Sequence, residues 1–323
     1  MSDFPIDIVI PWVDGDDPVL AAKRRQYLTG KKEETMSDVA GATRFSDLGE
    51  IFWCIDSINI FAPFIRKIFI VTDGQDPHLE DHLAARFGDK YIPVEVVDHK
   101  VIFRGYEKYL PIFNSRSIEA VIWRIPGLSE HFLLMNDDFF LAAPVKPTDF
   151  YVGDKTVCYA DWRWTWLERL FRRIKRWKNR RAKATFKGSM INAVKILGGH
   201  PQFLYLAHTP RALKRSFYEN FFAERPEVLV RNLLDRFRTP RQYNSQELFY
   251  ITELKAGRLK VIPTSRRLIY MKPHENSRYI TRKLARFDRA RHACFGCINS
   301  MDIASEEDRR RIFDWISNRL SNA

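Results

Sequence analysis

Cysteine is scarce: Cys54, Cys158, Cys294 and Cys297 are the only four thiols in 323 residues. They are too few and too unevenly placed for a disulfide framework, and a reducing cytosol suits them best. Cys294 and Cys297 make a lone C-x-x-C, and with no second pair to complete a zinc site they read as bystanders rather than redox or metal groups. No apolar run approaches the roughly 20 residues that span a bilayer. The chain passes from Met1, Ser2 and Asp3 straight into a short apolar strand, without the positive start and long apolar stretch of a signal peptide. There is no internal repeat, low-complexity tract or long Gly/Ser linker. Together these absences predict a cytoplasmic protein, soluble or peripheral at the inner face of the cytoplasmic membrane.

What is present is ample core material. Hydrophobic residues make up 45% of the chain and aromatics 14%, enough for one large domain or two modest ones. Lys and Arg number 53 against 40 Asp and Glu, a net charge of +13 that predicts phosphate-bearing partners: nucleic acid, anionic lipid or phosphorylated substrates. Location narrows that choice. Arg163 to Lys187 holds eleven Lys/Arg and a single acid, Glu168, and so supplies ten of the thirteen excess charges. A nucleic-acid enzyme more often spreads its basic residues along a groove, so nucleic acid is not the expected partner.

The first 150 residues alternate strand and helix. Ile6 to Ile10 is short, apolar and β-branched, and Pro11 closes it. Lys67 to Val71, Val94 to Val97 and His131 to Met135 are three further strands, ended by Asp73-Gly74, by Asp98 and by Asn136-Asp137-Asp138. Ser46 or Asp47 with Glu50 gives a capping-box spacing for a helix that stops before Pro63, and Asn114 caps a second over Ser115 to Trp123. The fold class expected is α/β, a Rossmann-like core over 1–150. Residues 151–323 read as a mostly helical portion that packs on the core and completes the site: Ser189 to Leu197, Pro210 to Asn220, Pro226 to Arg236, Ser245 to Ala256, Glu306 to Asn322, and few strands beyond Leu259 to Ile262.

Chemistry is expected at the carboxyl ends of the strands, where open α/β sheets bind ligands. Asp137 and Asp138 are hard oxygen ligands suited to Mg2+ or Mn2+, a cation that one or two carboxylates share with substrate phosphates. Trp12 offers a face on which a base can stack, and Asp14 a carboxylate for a ribose or imide. Arg44 and Glu50 flank a helix start whose amides can meet a phosphate, although Glu50 also reads as a capping residue. His208 beside a helix start can act as a general base or simply be exposed. Arg238 can brace a phosphoryl group or be a surface charge. In the basic segment 162–187, Trp166, Leu170, Ile174 and Trp177 line one face and arginines the others. Two readings stand open there: an interfacial helix on an anionic membrane surface, or an apolar face packed on the domain.

Several separated blocks together resemble the Stealth family of hexose-phosphate transferases. They are Ile6-Asp7-Ile8-Val9 with Trp12-Val13-Asp14-Gly15 and Asp17-Pro18; a long stretch from Arg44-Phe45 and Glu50 through Phe61-Ala62-Pro63, Thr72-Asp73-Gly74-Gln75, Val97-Asp98-His99, Phe113-Asn114-Ser115 and Ile118-Glu119 to Asn136-Asp137-Asp138; His208-Thr209-Pro210 with Phe237-Arg238; and Cys297-Ile298-Asn299. The resemblance implies a glycosyltransferase A-like core that moves a hexose-1-phosphate from a UDP-sugar to a hydroxyl of a growing capsular or cell-surface polysaccharide, or of an oligosaccharide acceptor. A phosphodiester forms and UMP leaves. It further implies catalytic roles for Glu50, Asp138, His208 and Arg238, and nucleotide contacts at Trp12 and Asp14, to which Arg44 and Asn114 are added as candidates. Asp56 departs from the family, whose members usually carry Arg there, as do Leu48 in place of Asn and Arg116 in place of His. The competing functions are a metal-dependent glycosyltransferase releasing UDP and a non-enzymatic basic module binding membrane or nucleic acid.

Overall fold

A computed structural model describes residues 4–28, 48–178, 184–273, 277–290 and 292–322. Strand β1 (Ile6–Pro11) is buried along almost its whole length, as a central strand covered on both faces should be. β2 (Ile65–Thr72), β3 (Val94–Asp98) and β4 (His131–Leu134) run parallel to it in the order β3-β2-β1-β4. That order matches the first four strands of the doubly wound nucleotide-binding fold, whose strand order reverses between β1 and β4. One charge lies inside the sheet: Asp7, fully buried, takes a bidentate bond from Arg66 (2.9 and 2.6 Å) and accepts the Ser129 amide at 2.7 Å.

The second half is richer in strands than its sequence suggests. After β5 (Phe139–Leu141) come β6 (Tyr151–Val152), the long β7 (Lys155–Trp164), β8 (Gln202–Leu206), β9 (Arg211–Lys214), β10 (Leu259–Ile262), β11 (Leu268–Met271) and β12 (Phe295–Ile298). The mostly helical portion is therefore a mixed one. The helix expected over Pro210 to Asn220 begins only at Arg215, because Arg211–Lys214 pairs antiparallel with β4 and extends the main sheet. The helix from Asn114 ends at Glu119 and a 3-10 turn, Ile122–Arg124, follows. The boundary near 150 is crossed by two pairings, β4 with β9 and β5 with β12.

β11, β12 and β5 form a small third sheet that reaches the end of β4. It depends on one close approach: Gly296 lies opposite Phe140, and a Cβ there would sit 2.2 Å from the ring. Only glycine leaves room for that ring. The helix Glu50–Phe61 braces the same region, since Ser57 Oγ accepts the Leu141 amide at 2.9 Å and Cys54 Sγ points to the Asn136 carbonyl at 3.8 Å.

Candidate active site at the ends of β1 and β4

A cleft opens at the carboxyl ends of the parallel strands, with walls from the β1, β2, β3 and β4 loops and one wall from the second half. Trp12, Asp73, His99, Asn114, Glu119, Asp137 and Arg238 line it. The Trp12 amide stays on the sheet by donating to the Val71 carbonyl at 2.9 Å. Gln75 then ties the β1 loop to the β2 loop: its side-chain amide donates to the Asp14 carbonyl and to Asp17 Oδ2, both at 2.9 Å, and accepts the Asp14 amide at 3.1 Å. Asp73 is paired with Lys23 at 2.6 Å.

The wall from the second half is fixed by the Asn114 region. Asn114 caps its helix by accepting the Ser117 amide and donates to the Asp235 carbonyl at 2.7 Å, while Phe113 stacks on Phe237 at 5.2 Å. Arg238 is thereby delivered into the cleft, where its Nη2 donates to Ser115 Oγ at 2.7 Å. Glu119 accepts from Gln246 Nε2 at 3.0 Å. The result is a guanidinium, three carboxylates and an aromatic face around one space, a set that can hold a nucleotide diphosphate.

The turn Asn136–Asp138 has a second side. Asp138 accepts from Asn299 Nδ2 at 2.9 Å and from the Cys297 thiol at 3.5 Å, its carbonyl takes the Ile298 amide at 3.1 Å, and its Oδ1 is buried without a hydrogen-bond partner. Burial pushes its carboxyl above the ordinary carboxylate range, against the pull of the Asn299 and Cys297 bonds. His208 belongs to this inner side: its ring meets Phe139 at 5.9 Å and Tyr270 at 4.9 Å, and its buried Nδ1 is unpartnered. Burial, reinforced by the charge of Arg211, lowers the His208 imidazole to about 4, so it is neutral at physiological pH.

Of the residues singled out in the sequence, Trp12, Asn114, Asp137 and Arg238 meet in the cleft, whereas Asp138, held by Asn299 and Cys297, and His208, packed on Phe139 and Tyr270, do not line it. Asp14 lies in the β1 loop, where its Oδ1 accepts the Asp16 amide at 2.9 Å. Glu50 is the first residue of its helix, after Gly49 at the N-cap, so it is not the third-position partner of a capping box; its Oε2 accepts the Leu48 amide at 2.5 Å, and it is not among the cleft-lining residues. Arg44 and the Ser46 or Asp47 cap lie outside the described residues. Asp56 is buried and paired with His82 (2.8 Å) and Arg86 (3.3 Å), so its departure from the family pattern serves an internal ion pair. Arg116 is likewise structural, donating to the Thr239 and Thr185 carbonyls at 3.2 and 3.0 Å.

Cys294 and Cys297 are both buried free thiols, and the Cys297 thiol donates to Asp138 Oδ2 at 3.5 Å. Glu119, Asp73 and His99 were given no role from sequence. Their one signal was membership in the long block of resemblance, because their convergence needs the tertiary fold. Asp137 and the orphaned Oδ1 of Asp138 are compatible with a shared Mg2+ of the kind that relies on substrate phosphates. Among the described residues no group of three or more His, Cys, Asp or Glu side chains is placed to cage a metal alone.

Conserved region 1 of the Stealth proteins matches residues 4–32 and conserved region 2 matches residues 44–159. An exopolysaccharide phosphotransferase of Streptomyces coelicolor is 33% identical over 275 residues, covering 83% of this chain and 43% of its own. The capsular polysaccharide phosphotransferase fcs1 of Haemophilus influenzae is 31% identical over 255 residues, covering 76% of this chain and 64% of its own. The chain thus spans less than two thirds of each of these relatives. Among solved structures, the galactosyltransferase LgtC with donor and acceptor sugar analogs superposes with a TM-score of 0.46 at 13% identity, over 97% of this chain and 95% of that one.

Proposed function

The chain belongs to the Stealth family, whose conserved regions 1 and 2 it carries in order, and on that premise we propose that it transfers a sugar-1-phosphate from a UDP-sugar to a polysaccharide or oligosaccharide hydroxyl on a glycosyltransferase A-like core. The observation that carries this reading is the cleft itself: Arg238 and Asp137 face one space at the reversal of strand order, beside Trp12. In the reaction the acceptor oxygen attacks the β-phosphorus, the bond from that phosphorus to the bridging oxygen breaks, and UMP leaves. Arg238 stabilises the charge on the equatorial phosphoryl oxygens, held in line by its bond to Ser115. Trp12 supplies a stacking face for the base. Asp137 and Asp138 would hold Mg2+, which when bound neutralises the diphosphate and its leaving group.

The acceptor proton goes to His208, which is neutral and has an uncommitted buried ring nitrogen. A second assignment gives that proton to Glu119, favoured by its place on the cleft wall itself. Incubation with a panel of UDP-sugars, Mg2+ and oligosaccharide acceptors, followed by mass analysis, is expected to show an added sugar-phosphate and free UMP. Release of UDP with addition of a bare sugar would overturn the reading in favour of glycosyl transfer. His208→Ala is expected to abolish turnover with UDP binding retained; full turnover in that variant and none in Glu119→Gln would move the base to Glu119.

A further inference from the structure

The basic segment takes no part in the cleft, and its structure decides between the two readings its sequence left open. β7 runs on through Trp164, and the helix Thr165–Lys178 follows directly. Among the described residues, Trp166, Leu170 and Ile174 of its apolar face stand exposed rather than packed on the domain. Trp166 is 59% exposed, Phe171 52%, Leu170 48% and Ile174 46%, and Trp162 and Trp164, alternate residues of β7, stand exposed beside them. Six of the large apolar side chains that the molecule leaves in solvent are thus gathered in thirteen consecutive residues. A cluster of that kind marks an interaction site rather than ordinary surface.

Trp166, Leu170 and Ile174 recur at every fourth position, and Arg169 and Arg173 run along their flank, both exposed. The one acid of the helix, Glu168, is occupied by Lys187 at 2.5 Å, which leaves the flank cationic. From this we infer that the helix Thr165–Lys178 and the exposed end of β7 dock on an anionic phospholipid bilayer, lying in the interface with the apolar face toward the acyl chains and Arg169 and Arg173 on the headgroups. Charge chooses this occupant over a second copy of the chain, because two such faces would bring Arg169 and Arg173 of one copy against those of the other, with the one acid of the helix already paired to Lys187. The aliphatic pair Leu170 and Ile174 chooses it over nucleic acid, since phosphate contacts need the arginines alone and would leave these side chains in water. No helix among the described residues is long and apolar enough to cross a membrane, so the attachment is lateral. The inference stands apart from the transfer reaction and does not depend on it.

The test is flotation of the full chain with vesicles of pure phosphatidylcholine or of phosphatidylcholine with 30% phosphatidylglycerol. Binding is expected on the anionic vesicles only, and it falls as salt is raised. Arg169→Glu with Arg173→Glu is expected to weaken it about thirtyfold or more. Leu170→Asp with Ile174→Asp is expected to abolish it; all four side chains are solvent-exposed, and an unchanged far-ultraviolet circular dichroism spectrum and melting temperature confirm that both variants fold. Equal flotation of both variants and the parent, or no flotation of the parent, overturns the inference. So does duplex-DNA binding that the arginine variant loses and the Leu170/Ile174 variant keeps, if vesicles are not bound. A dimer seen by mass photometry that Leu170→Asp with Ile174→Asp dissolves would assign the face to a second copy instead.

Discussion

Asp137 lines the open cleft with Arg238 and Glu119, while Asp138, the next residue, turns its carboxyl into an inner chamber bounded by Cys297 and Asn299. Both leave the same strand end. What separates them is the turn at residues 137 and 138, together with what the rest of the chain sets against each side chain. At Asp138 burial works against charge and favours the proton. A single turn thus carries one carboxylate that lines the cleft and a second whose charge is disfavoured.

The largest test of that contrast is on the cleft side. Arg238→Ala should lower kcat by about a thousandfold to a hundred-thousandfold, as loss of a guanidinium on a transferring phosphoryl group does elsewhere. Steady-state kinetics would show it, and a change confined to KM would mean that Arg238 only binds substrate. On the inner side His208→Ala should cost about a hundredfold to ten-thousandfold in kcat. If Asp137→Asn and Asp138→Asn gave identical kinetics and identical melting temperatures, the two faces would be equivalent and the contrast would fail.

Stability separates the faces further. Gly296→Ala puts a methyl group into the Phe140 ring and should destabilise the fold by about 1–3 kcal/mol in urea titrations, loosening the chamber through β5 and β12. The smallest effect is one of pH. His208 is lowered from 6.5 to about 4, so between those values the unfolded chain binds more protons than the folded one, and stability falls as pH drops through that window. Its contribution to that loss is about 2 kcal/mol at pH 5. His208→Gln should therefore flatten the curve between pH 6.5 and 4 relative to the parent and leave its slope above pH 7 unchanged.

The cleft side was largely legible in the sequence, and the chamber was not. Continuous apolar runs such as Ile68 to Val71 are suited to the inside of a parallel sheet, and the polar residues that end them fall at its carboxyl edge. Arg211–Lys214 is short and polar at both ends, and only its pairing with β4 makes it a strand. Phe295–Ile298 hides its reason for a glycine in a ring about 150 residues upstream. Local spacing marked Glu50 as a candidate because a helix start is a local event; Glu119, which does line the cleft, is held by Gln246, more than a hundred residues away, a contact that no local pattern encodes.

The bonds from Cys297, Ile298 and Asn299 to Asp138 carry a consequence for how the protein comes into being. The turn is written by residue 138 but receives these partners only from strand β12, some 160 residues later. A ribosome-bound chain can lay down β1 to β4 early, yet its second carboxyl stays wet and ordinary until the last strand emerges. The turn is thereby completed last, and an unfinished polypeptide has β1 to β4 without the partners of Asp138.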